Sequence, residues 1–440
     1  LSKSGQTVFS LLTADSSGVM HAFWVDSLTG VLYSHSGADG WSKPQEVVFP
    51  LTMEELLATD QPVLLMPHLV SGPKNWVYFF WQNSGGLRYS IANTANERTL
   101  ANWSNGGLVA RSSASYDVVV DADGIIHIAF VQPSDTERSK AGVYYIRSID
   151  SGANWSPPVL LYPSSYYRNL ITETGTQLVD NSVDLSVTTI AGEKVLFAAF
   201  DNQPRKSTFV TRSLDGGVTW TDAVEVDGPV PGSALSAPGQ IHVSARGKNA
   251  LLAWQVRQSD TVCFTYYRSS DDGGATWTEN QRIYTPYSGC ADTFDFLSGY
   301  DANSLLITTA NNLSYLNAWD GKTWTEFQLQ SPLSSFIDPE TQDNVAFTPQ
   351  DWTLVGTDRL AVIGIDRGTG GDTWITTRSL ADASSWFAGQ PGWKVTADIE
   401  TLGGTISDLQ VIGDSTETLH AFWVQKEIVD DTGIVLVPVE

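Results

Sequence analysis

The chain has 440 residues, of which 17% are charged and 11% aromatic, including 16 Trp. This composition is too apolar for an intrinsically disordered chain, and the length requires several domains or one large repeat assembly. The 49 acidic and 25 basic residues give a formal net charge of -24, which repels phosphate backbones and argues against a nucleic-acid partner. No window approaches the ~18 to 20 apolar residues that cross a bilayer, so we expect no membrane insertion by this chain.

The start of the chain and its two cysteines say little about the cellular compartment. The chain begins at Leu1 without a start Met or a signal-peptide pattern, so we interpret it as a mature product or as a module excised from a longer extracellular protein. Cys263 and Cys290 are able to form one bridge, and they lack the paired spacing of a structural zinc site.

An internal repeat organises the sequence. The β-like segment at residues 19–25 recurs at 125–131 and at 419–424, and weaker copies bring the total to eight. Each copy follows another short β-like run and a polar turn, and a third and a fourth run come after it.

The repeat predicts the fold. Four antiparallel strands per unit are typical of a β-propeller blade, and helical periodicity is almost absent. We therefore predict an all-β fold, a β-propeller of four-stranded antiparallel blades, with residues 1–440 as a single domain. Eight blades are expected, with seven as the alternative, because the last copy shows only three strands before Glu440.

The turns between the third and fourth strands carry the most specific motif. The pattern Ser-x-Asp-x-Gly-x-x-Trp starts at Ser148, Ser213 and Ser270. In such a turn the Asp carboxylate accepts backbone N–H groups, Gly supplies a positive φ, and Trp packs against the neighbouring sheet. Because repeated residues serve the repeated fold, we expect these Asp side chains to be structural.

These motifs resemble the Asp box, or BNR repeat, of the sialidase-like β-propeller superfamily. Degraded copies at 34–41 and 379–386, with a shortened and an expanded relative, extend the resemblance to seven of the eight units. The resemblance implies that the boxes lie on the face opposite the active site. Function is then expected on the other face, which carries the second-to-third strand loops and the connections between blades.

Polar residues follow the second strand in most units and face this loop side. Amides and carboxylates around a shallow cup suit sugar hydroxyls, although strand ends are often simply polar. These residues are Asp26, Gln82, Gln132, Asp201, Asn202, Gln203, Gln255 and Gln425.

Arginines on the loop side are the candidate ligand-binding residues. They fall in the second-to-third strand loops of four units, and an inter-blade segment adds two tyrosines and a fifth arginine. If they converge, they can bind a carboxylate or sulfate bidentately, as sialic acid or a uronate requires; solvated loop arginines are the alternative. The candidate set is Arg138, Tyr166, Tyr167, Arg168, Arg205, Arg257 and Arg367.

Catalysis is a second hypothesis, because sialidases hydrolyse sialosides with a tyrosine nucleophile and three arginines. The sequence departs from that pattern, since the Arg-Ile-Pro motif is absent and no arginine precedes Arg88. A permuted site would draw on Arg168, Arg205 and Arg257, on Tyr166 or Tyr167, and on Asp201 or Glu137. His21, His127 and His420 occupy equivalent repeat positions, which favours a structural role over a lyase site.

No cofactor is expected. The acidic turns at 121–124 and 271–274 leave calcium open, but neither continues into the spaced oxygen ligands of an EF-hand. The leading hypothesis is an extracellular or cell-surface propeller that binds a glycan, anionic or neutral, or a protein partner through its loop face without catalysis. The alternatives are a sialidase-like glycosidase or other carbohydrate-active enzyme acting on acidic sugars, and a structural surface module. The oligomeric state is left open.

Overall fold

The computed structural model describes most of the chain. The described residues are 7–26, 29–37, 40–46, 65–83, 86–94, 103, 107–135, 140–172, 175–179, 182–202, 207–226, 239–259, 261–297, 305–311, 313–319, 321–324, 335–356, 358–368, 372–380, 392–394, 405–413 and 417–426. Within them the chain is almost entirely β, with one 3-10 helix at Ser165–Leu170. No helix in this part of the chain is long and apolar enough to cross a membrane.

The described strands form seven antiparallel sheets of three to five strands in a seven-blade β-propeller arrangement. The strands of blades 1 to 3 are β1 (Thr7–Ala14), β2 (Met20–Asp26), β3 (Gly30–Gly37), β4 (Gly40–Trp41) and β5 (Gln45–Glu46); β6 (Leu65–Gly72), β7 (Trp76–Asn83), β8 (Gly86–Asn93) and β9 (Gly107–Ala110); and β10 (Ser115–Val120), β11 (Ile126–Gln132), β12 (Gly142–Ser148) and β13 (Val159–Pro163). A two-stranded hairpin, β14 (Ile171–Thr172) and β15 (Gly175–Thr176), follows the 3-10 helix.

Blades 4 to 7 continue the same order. Their strands are β16 (Val183–Ile190), β17 (Glu193–Asn202), β18 (Ser207–Ser213) and β19 (Val224–Glu225); β20 (Gly239–Arg246), β21 (Asn249–Ser259), β22 (Val262–Ser270) and β23 (Gln281–Ile283); β24 (Thr293–Leu297), β25 (Leu305–Ala310) and β26 (Leu313–Ala318); and β27 (Ser335–Ile337), β28 (Asn344–Val355), β29 (Arg359–Asp366), β30 (Thr373–Ser379) and β31 (Gly392–Lys394).

The eighth copy of the repeat forms a two-stranded sheet, β32 (Thr405–Gly413) and β33 (Leu419–Lys426). Strand β32 packs against β28 of blade 7 and β1 of blade 1, and Gln410 Nε2 donates to Ser10 O at 2.7 Å. The propeller fold is therefore confirmed. The described structure has seven sheets of three or more strands, which agrees with the alternative prediction of seven blades. The described part of the eighth copy packs between blade 7 and blade 1.

Apolar faces of neighbouring sheets form the core. Between blades 3 and 4, Tyr145 and Val143 pack with Leu196, Ala198 and Phe200 in one buried cluster. Alternation along each strand sends successive side chains to opposite neighbours, so every sheet is buried on both faces. At about 25 cal/mol per Å² of buried apolar surface, these contacts hold the blades side by side.

The Ser-x-Asp-x-Gly-x-x-Trp turns link blades 3, 4 and 5 to the blade that precedes each of them. In blade 4, Asp215 Oδ1 accepts the N–H groups of Val218 at 3.0 Å and Thr219 at 2.8 Å. The ring of Trp220 lies 4.8 Å from that of Tyr145 in blade 3. Equivalent Trp contacts join blade 3 to blade 2 and blade 5 to blade 4. The expected structural role of the motif is confirmed.

The opposite ends of the blades carry the second-to-third strand loops. In blade 3, Gln132 lies opposite Gly142 at this end, whereas Ser148 lies opposite Ile126 at the turn end. We call these the loop end and the turn end. At the loop end of blade 5, Cys263 and Cys290 form the disulfide that the sequence allows.

Candidate functional site

One residue from the first strand of each sheet stands at a common level around the central channel. Leu11, Asp117 and Gln410 each pair with the second-strand residue two positions after His21, His127 and His420. The other members follow from the strand register and from contacts between neighbours. We call the set the channel ring: Leu11, His68, Asp117, Asp184, His242, Asp295, Asp351 and Gln410.

Three aspartates of the ring bind the backbone of the next sheet. Asp117 Oδ2 accepts Leu185 N–H at 2.7 Å, Asp184 Oδ2 accepts Val243 N–H at 2.6 Å, and Asp351 Oδ2 accepts Val411 N–H at 2.8 Å. A first strand has no partner strand on its inner side, so its inward N–H groups need another acceptor. These carboxylates supply it, which gives them a structural role.

His242 and Asp295 depart from this repeated pattern. His242 holds the ring position that is an aspartate in four of the other blades and a histidine, His68, in blade 2. Its Nδ1 lies 3.4 Å from Asp295 Oδ1 and 3.9 Å from Asp184 Oδ2. Within the described residues, Asp295 accepts no N–H from the following blade, and 59% of its side chain is exposed to the channel. In this His242–Asp295 dyad, the aspartate is therefore the side chain that is open to the channel, whereas His242 is buried.

The channel shifts the pKa values of the dyad in opposite directions. Desolvation by the surrounding blades raises the pKa of Asp295 to about 7 although part of its side chain is open to the channel, and the negative charge of Asp117 adds to this effect. Burial lowers the pKa of His242 to about 4 despite the opposing influence of Asp117. Burial and Asp117 also raise the pKa of Asp184 well above its ordinary value. Near pH 6 the dyad is thus a neutral carboxyl beside a neutral imidazole.

The other side of the channel is more apolar. A cavity of about 460 Å³ is lined there by Leu11, Leu12, Leu69, Gln350, Asp351, Leu409 and Gln410. The polar groups among them are partly engaged, because Asp351 binds Val411 and Gln410 binds Ser10. At ring level the channel therefore has a leucine-rich wall and a carboxyl-imidazole wall. The volume of the cavity falls in the ~300 to 1,000 Å³ range of small-molecule sites.

The structure separates the predicted ligand residues. Arg138 and Arg205 lie outside the described residues. Tyr166 is half-exposed and Arg168 exposed on the 3-10 helix, where Arg168 forms an ion pair with Asp135. Tyr167 is buried, and its hydroxyl donates to Asp201 O at 2.9 Å. That tyrosine is a core residue rather than part of the loop surface.

The two remaining predicted arginines lie in different blades. Arg257 is exposed near the end of β21, opposite Cys263. Arg367 is exposed after β29, and its Nε donates to Thr348 Oγ1 at 3.3 Å. No contact within the described part of the chain joins Arg168, Arg257 and Arg367 to one another.

The polar side chains at the ends of the second strands form hydrogen bonds with neighbouring loops. Gln255 Oε1 accepts Ala291 N–H at 2.8 Å, and Asn202 Nδ2 donates to Ser164 Oγ at 2.8 Å. Gln132 Nε2 likewise donates to Ser134 O at 3.0 Å. Their amides are committed to the inter-blade and strand-connecting segments, as expected for strand ends that are polar for structural reasons.

The acidic turns are also explained by local bonding. Asp121 Oδ1 accepts the N–H groups of Asp123 and Ile125, each at 2.9 Å. Burial acts to raise the pKa of Asp121, but bonds from His127 and Ile125 outweigh it and lower the value to about 2. Asp272 Oδ1 accepts Thr276 N–H at 2.9 Å in the second turn. The described residues contain no group of three or more His, Cys, Asp or Glu arranged to hold a metal.

Sequence reasoning missed two networks. In blade 1, His21 Nδ1 lies 2.7 Å from Tyr33 Oη and His21 Nε2 lies 3.2 Å from Asp15 Oδ2. Blade 3 repeats this arrangement with another Asp, His and Tyr, and an Asp six residues before each repeated His was the available signal. The buried networks support the structural interpretation of the repeated histidines. The channel ring had a weaker signal, a polar residue in most first runs.

Comparisons with known proteins show the fold alone. No family model matches the chain, and no curated protein matches it. Among solved structures it is similar to an ulvan lyase of the PL25 polysaccharide lyase family bound to GlcA(1-4)Rha3S, with a TM-score of 0.50 and 10% identity over 85% of this chain and 94% of that chain. The polysaccharide lyase Uly1 gives a TM-score of 0.49 and 12% identity over 84% and 89% of the two chains. The NanB sialidase from Streptococcus pneumoniae gives 0.36 and 11% over 92% and 80%.

Proposed function

We propose that this propeller binds a glycan in its central channel, with Asp295 of the His242–Asp295 dyad contacting sugar hydroxyls. The observation that carries the proposal is the exposed carboxyl of Asp295 beside the imidazole of His242. Asp295 Oδ1 and His242 Nδ1 stand 3.4 Å apart across the contact between blades 6 and 5, and 59% of the Asp295 side chain is exposed. An extracellular or cell-surface location belongs to the same proposal.

The chemistry of the wall suits an uncharged part of a sugar. Near pH 6 the carboxyl of Asp295 both donates and accepts hydrogen bonds, which matches the mixed character of hydroxyl groups. The leucines opposite can cover the apolar C–H surface of a sugar ring. Asp117, Asp184 and Asp351 make the ring unfavourable for an anion. A similar fold binds a saccharide in the ulvan lyase structure, which adds support.

Glycan binding is tested by variants of the dyad. A glycan array identifies the best neutral ligand, and calorimetry then compares the wild type with Asp295→Ala and His242→Gln. We expect each variant to weaken binding at least about tenfold, because each removes a hydrogen bond in a partly desolvated site. Asp222→Ala, an exposed carboxylate at the turn end, is the control and should bind as the wild type does. Unchanged affinity in both dyad variants would reject this site.

A carbohydrate-cleaving activity is the second candidate, favoured by the pKa of Asp295. A carboxyl with a pKa of about 7 exchanges its proton near neutral pH, as general acid catalysis requires. Fluorogenic glycosides and uronic acid polymers provide the screen. Turnover that falls at least about 100-fold in Asp295→Asn would support catalysis by this group. Turnover that persists in the variant would place the chemistry elsewhere, and binding without turnover would leave the first proposal alone.

A further inference from the structure

We infer that Arg282, on the outer strand of blade 5, is a subsite for the carboxylate or sulfate group of an acidic saccharide. The inference rests on the proposed glycan binding and adds a second position to it. The channel ring is acidic and repels anions, so an anionic group on the same ligand must bind outside the channel. Arg282 was not among the arginines singled out from the sequence.

The guanidinium of Arg282 is held by two aromatic rings. Its Cζ lies 3.6 Å from the centre of the Phe264 ring and 5.3 Å from that of Tyr284. The strand register explains the arrangement, because Arg282 in β23 pairs with Tyr266 in β22, two residues beyond Phe264. Stacking uses the flat face of a guanidinium and leaves its N–H edges available.

No carboxylate among the described residues pairs with these N–H edges. Within the described residues Arg282 has no ion pair, whereas Arg168 pairs with Asp135 and Arg359 pairs with Glu417. Arg147 and Arg212, which lie on third strands, bond carbonyl oxygens of the neighbouring blade. In a chain of net charge -24, an exposed and stacked guanidinium without a carboxylate partner is a distinct local feature.

The disulfide fixes the segments that carry the rings. Cys263 directly precedes Phe264, and Cys290 lies six residues after Tyr284, so the bridge joins the start of β22 to the segment that follows β23. The Tyr284 ring is 64% exposed, which leaves a face on which a pyranose can stack. A fixed guanidinium beside an exposed aromatic ring can bind the anionic group and the sugar ring together. Pre-organisation of this kind reduces the entropy lost on binding.

The test compares three classes of oligosaccharide: oligogalacturonate, a sulfated galactan fragment, and a neutral galactan fragment of equal length. Calorimetry at low salt measures each with the wild type, Arg282→Ala, Arg282→Lys and Phe264→Leu. We expect at least one acidic probe to bind the wild type more tightly than the neutral one. Arg282→Ala should weaken that probe about 10- to 100-fold and leave the neutral fragment unchanged.

The additional variants separate stacking from charge. Arg282→Lys keeps the charge but loses the bidentate edge, so it should recover only part of the affinity; Phe264→Leu should weaken the acidic probe by a smaller factor. Arg111→Ala removes an exposed arginine elsewhere and is the control. Which acidic probe binds decides between a uronate and a sulfate ester as the source of the anion.

The outcomes distinguish this inference from the channel proposal. Equal affinities for Arg282→Ala and Arg111→Ala would overturn the subsite, as would acidic probes that bind the wild type no better than the neutral fragment. If Arg282→Ala weakens acidic probes while Asp295→Ala changes nothing, the rim subsite stands and the channel site fails. If only Asp295→Ala weakens binding, the channel stands and the rim subsite fails.

Discussion

At the scale of single residues, the channel disfavours the charged forms of both His242 and Asp295. The two pKa shifts act oppositely on stability. Between about pH 4 and 6.5 the unfolded imidazole binds a proton that folded His242 does not, so stability falls as the pH falls. Over about pH 4 to 7 folded Asp295 holds a proton that the unfolded carboxyl has lost, so stability falls as the pH rises.

His242→Gln removes the first of these effects. Relative to the wild type, the variant should gain about 2 to 3 kcal/mol of unfolding free energy between pH 7 and pH 4, because glutamine carries no proton to gain on unfolding. Urea unfolding at several pH values measures the difference. Parallel stability curves for the two proteins would show that the imidazole is not held neutral in the channel.

The buried Asp–His–Tyr network gives a second residue-scale prediction. Tyr145→Phe removes the hydroxyl that lies 2.6 Å from His127 Nδ1 and should lower the unfolding free energy by about 1 to 2 kcal/mol. Tyr166→Phe, on a half-exposed ring, is the matched control and should change stability little. Equal stability of the two variants would contradict a structural role for the network.

The roles of single residues were predictable only at positions that recur in the sequence repeat. The equivalence of His21 and His127 indicated a structural role, and their buried networks agree with it. The pairing of His242 with Asp295 could not be predicted, because 53 positions separate two strands that meet only when neighbouring blades pack. The same holds for Arg282, whose aromatic partners become evident only from the strand register.

At the scale of the element, the turn glycines carry both conformation and packing. Gly217 has a φ of 86°, and a Cβ there would overlap the Tyr145 side chain of the preceding blade. Gly192 has a φ of 90° but no atom within 4 Å of such a Cβ. Substitutions at these two glycines therefore separate the conformational cost of a positive φ from the steric cost of an added Cβ.

Gly217→Ala should destabilise the protein more than Gly192→Ala. The control pays only the conformational penalty of about 1 kcal/mol, whereas Gly217→Ala must also displace a buried ring, which adds about 1 to 3 kcal/mol. Thermal or urea unfolding measures both. Equal losses would mean that the turn does not pack on the neighbouring blade.

Element types followed from the sequence because local patterns specify them. Short β-like runs, Gly-containing turns and the spaced Ser, Asp and Trp predicted hairpins that the structure contains. The arginine cluster was less predictable, since loop position does not determine side-chain direction. Arg168 bonds Asp135 in the second-to-third strand loop of its own blade. Its neighbour Tyr167 is buried and does not contribute to a surface patch with it.

At the scale of the whole molecule, the loop end is stabilised by one covalent link. Cys263→Ser with Cys290→Ser opens a connection across 27 residues and should lower the unfolding free energy by about 3 kcal/mol. The same double variant should weaken acidic saccharide binding if the bridge positions Phe264 and Tyr284. A double variant as stable as the wild type would show that packing alone fixes this segment.

Ring closure was the least predictable property. It depends on contacts such as that of Ser10 with Gln410, which are 400 positions apart, and no local pattern reports them. The repeat predicted eight blades with seven as the alternative, whereas the structure has a seven-blade arrangement in which the described part of the eighth copy is a two-stranded sheet packed against blades 7 and 1.

Amide hydrogen exchange with and without the best-binding glycan tests the central claim most directly. Binding at the channel should slow exchange in β20 and β24, which carry the His242–Asp295 dyad, and leave the turns at 148–155 and 213–220 unchanged. Protection of those turns, with no change in β20 and β24, would contradict a ligand site in the channel.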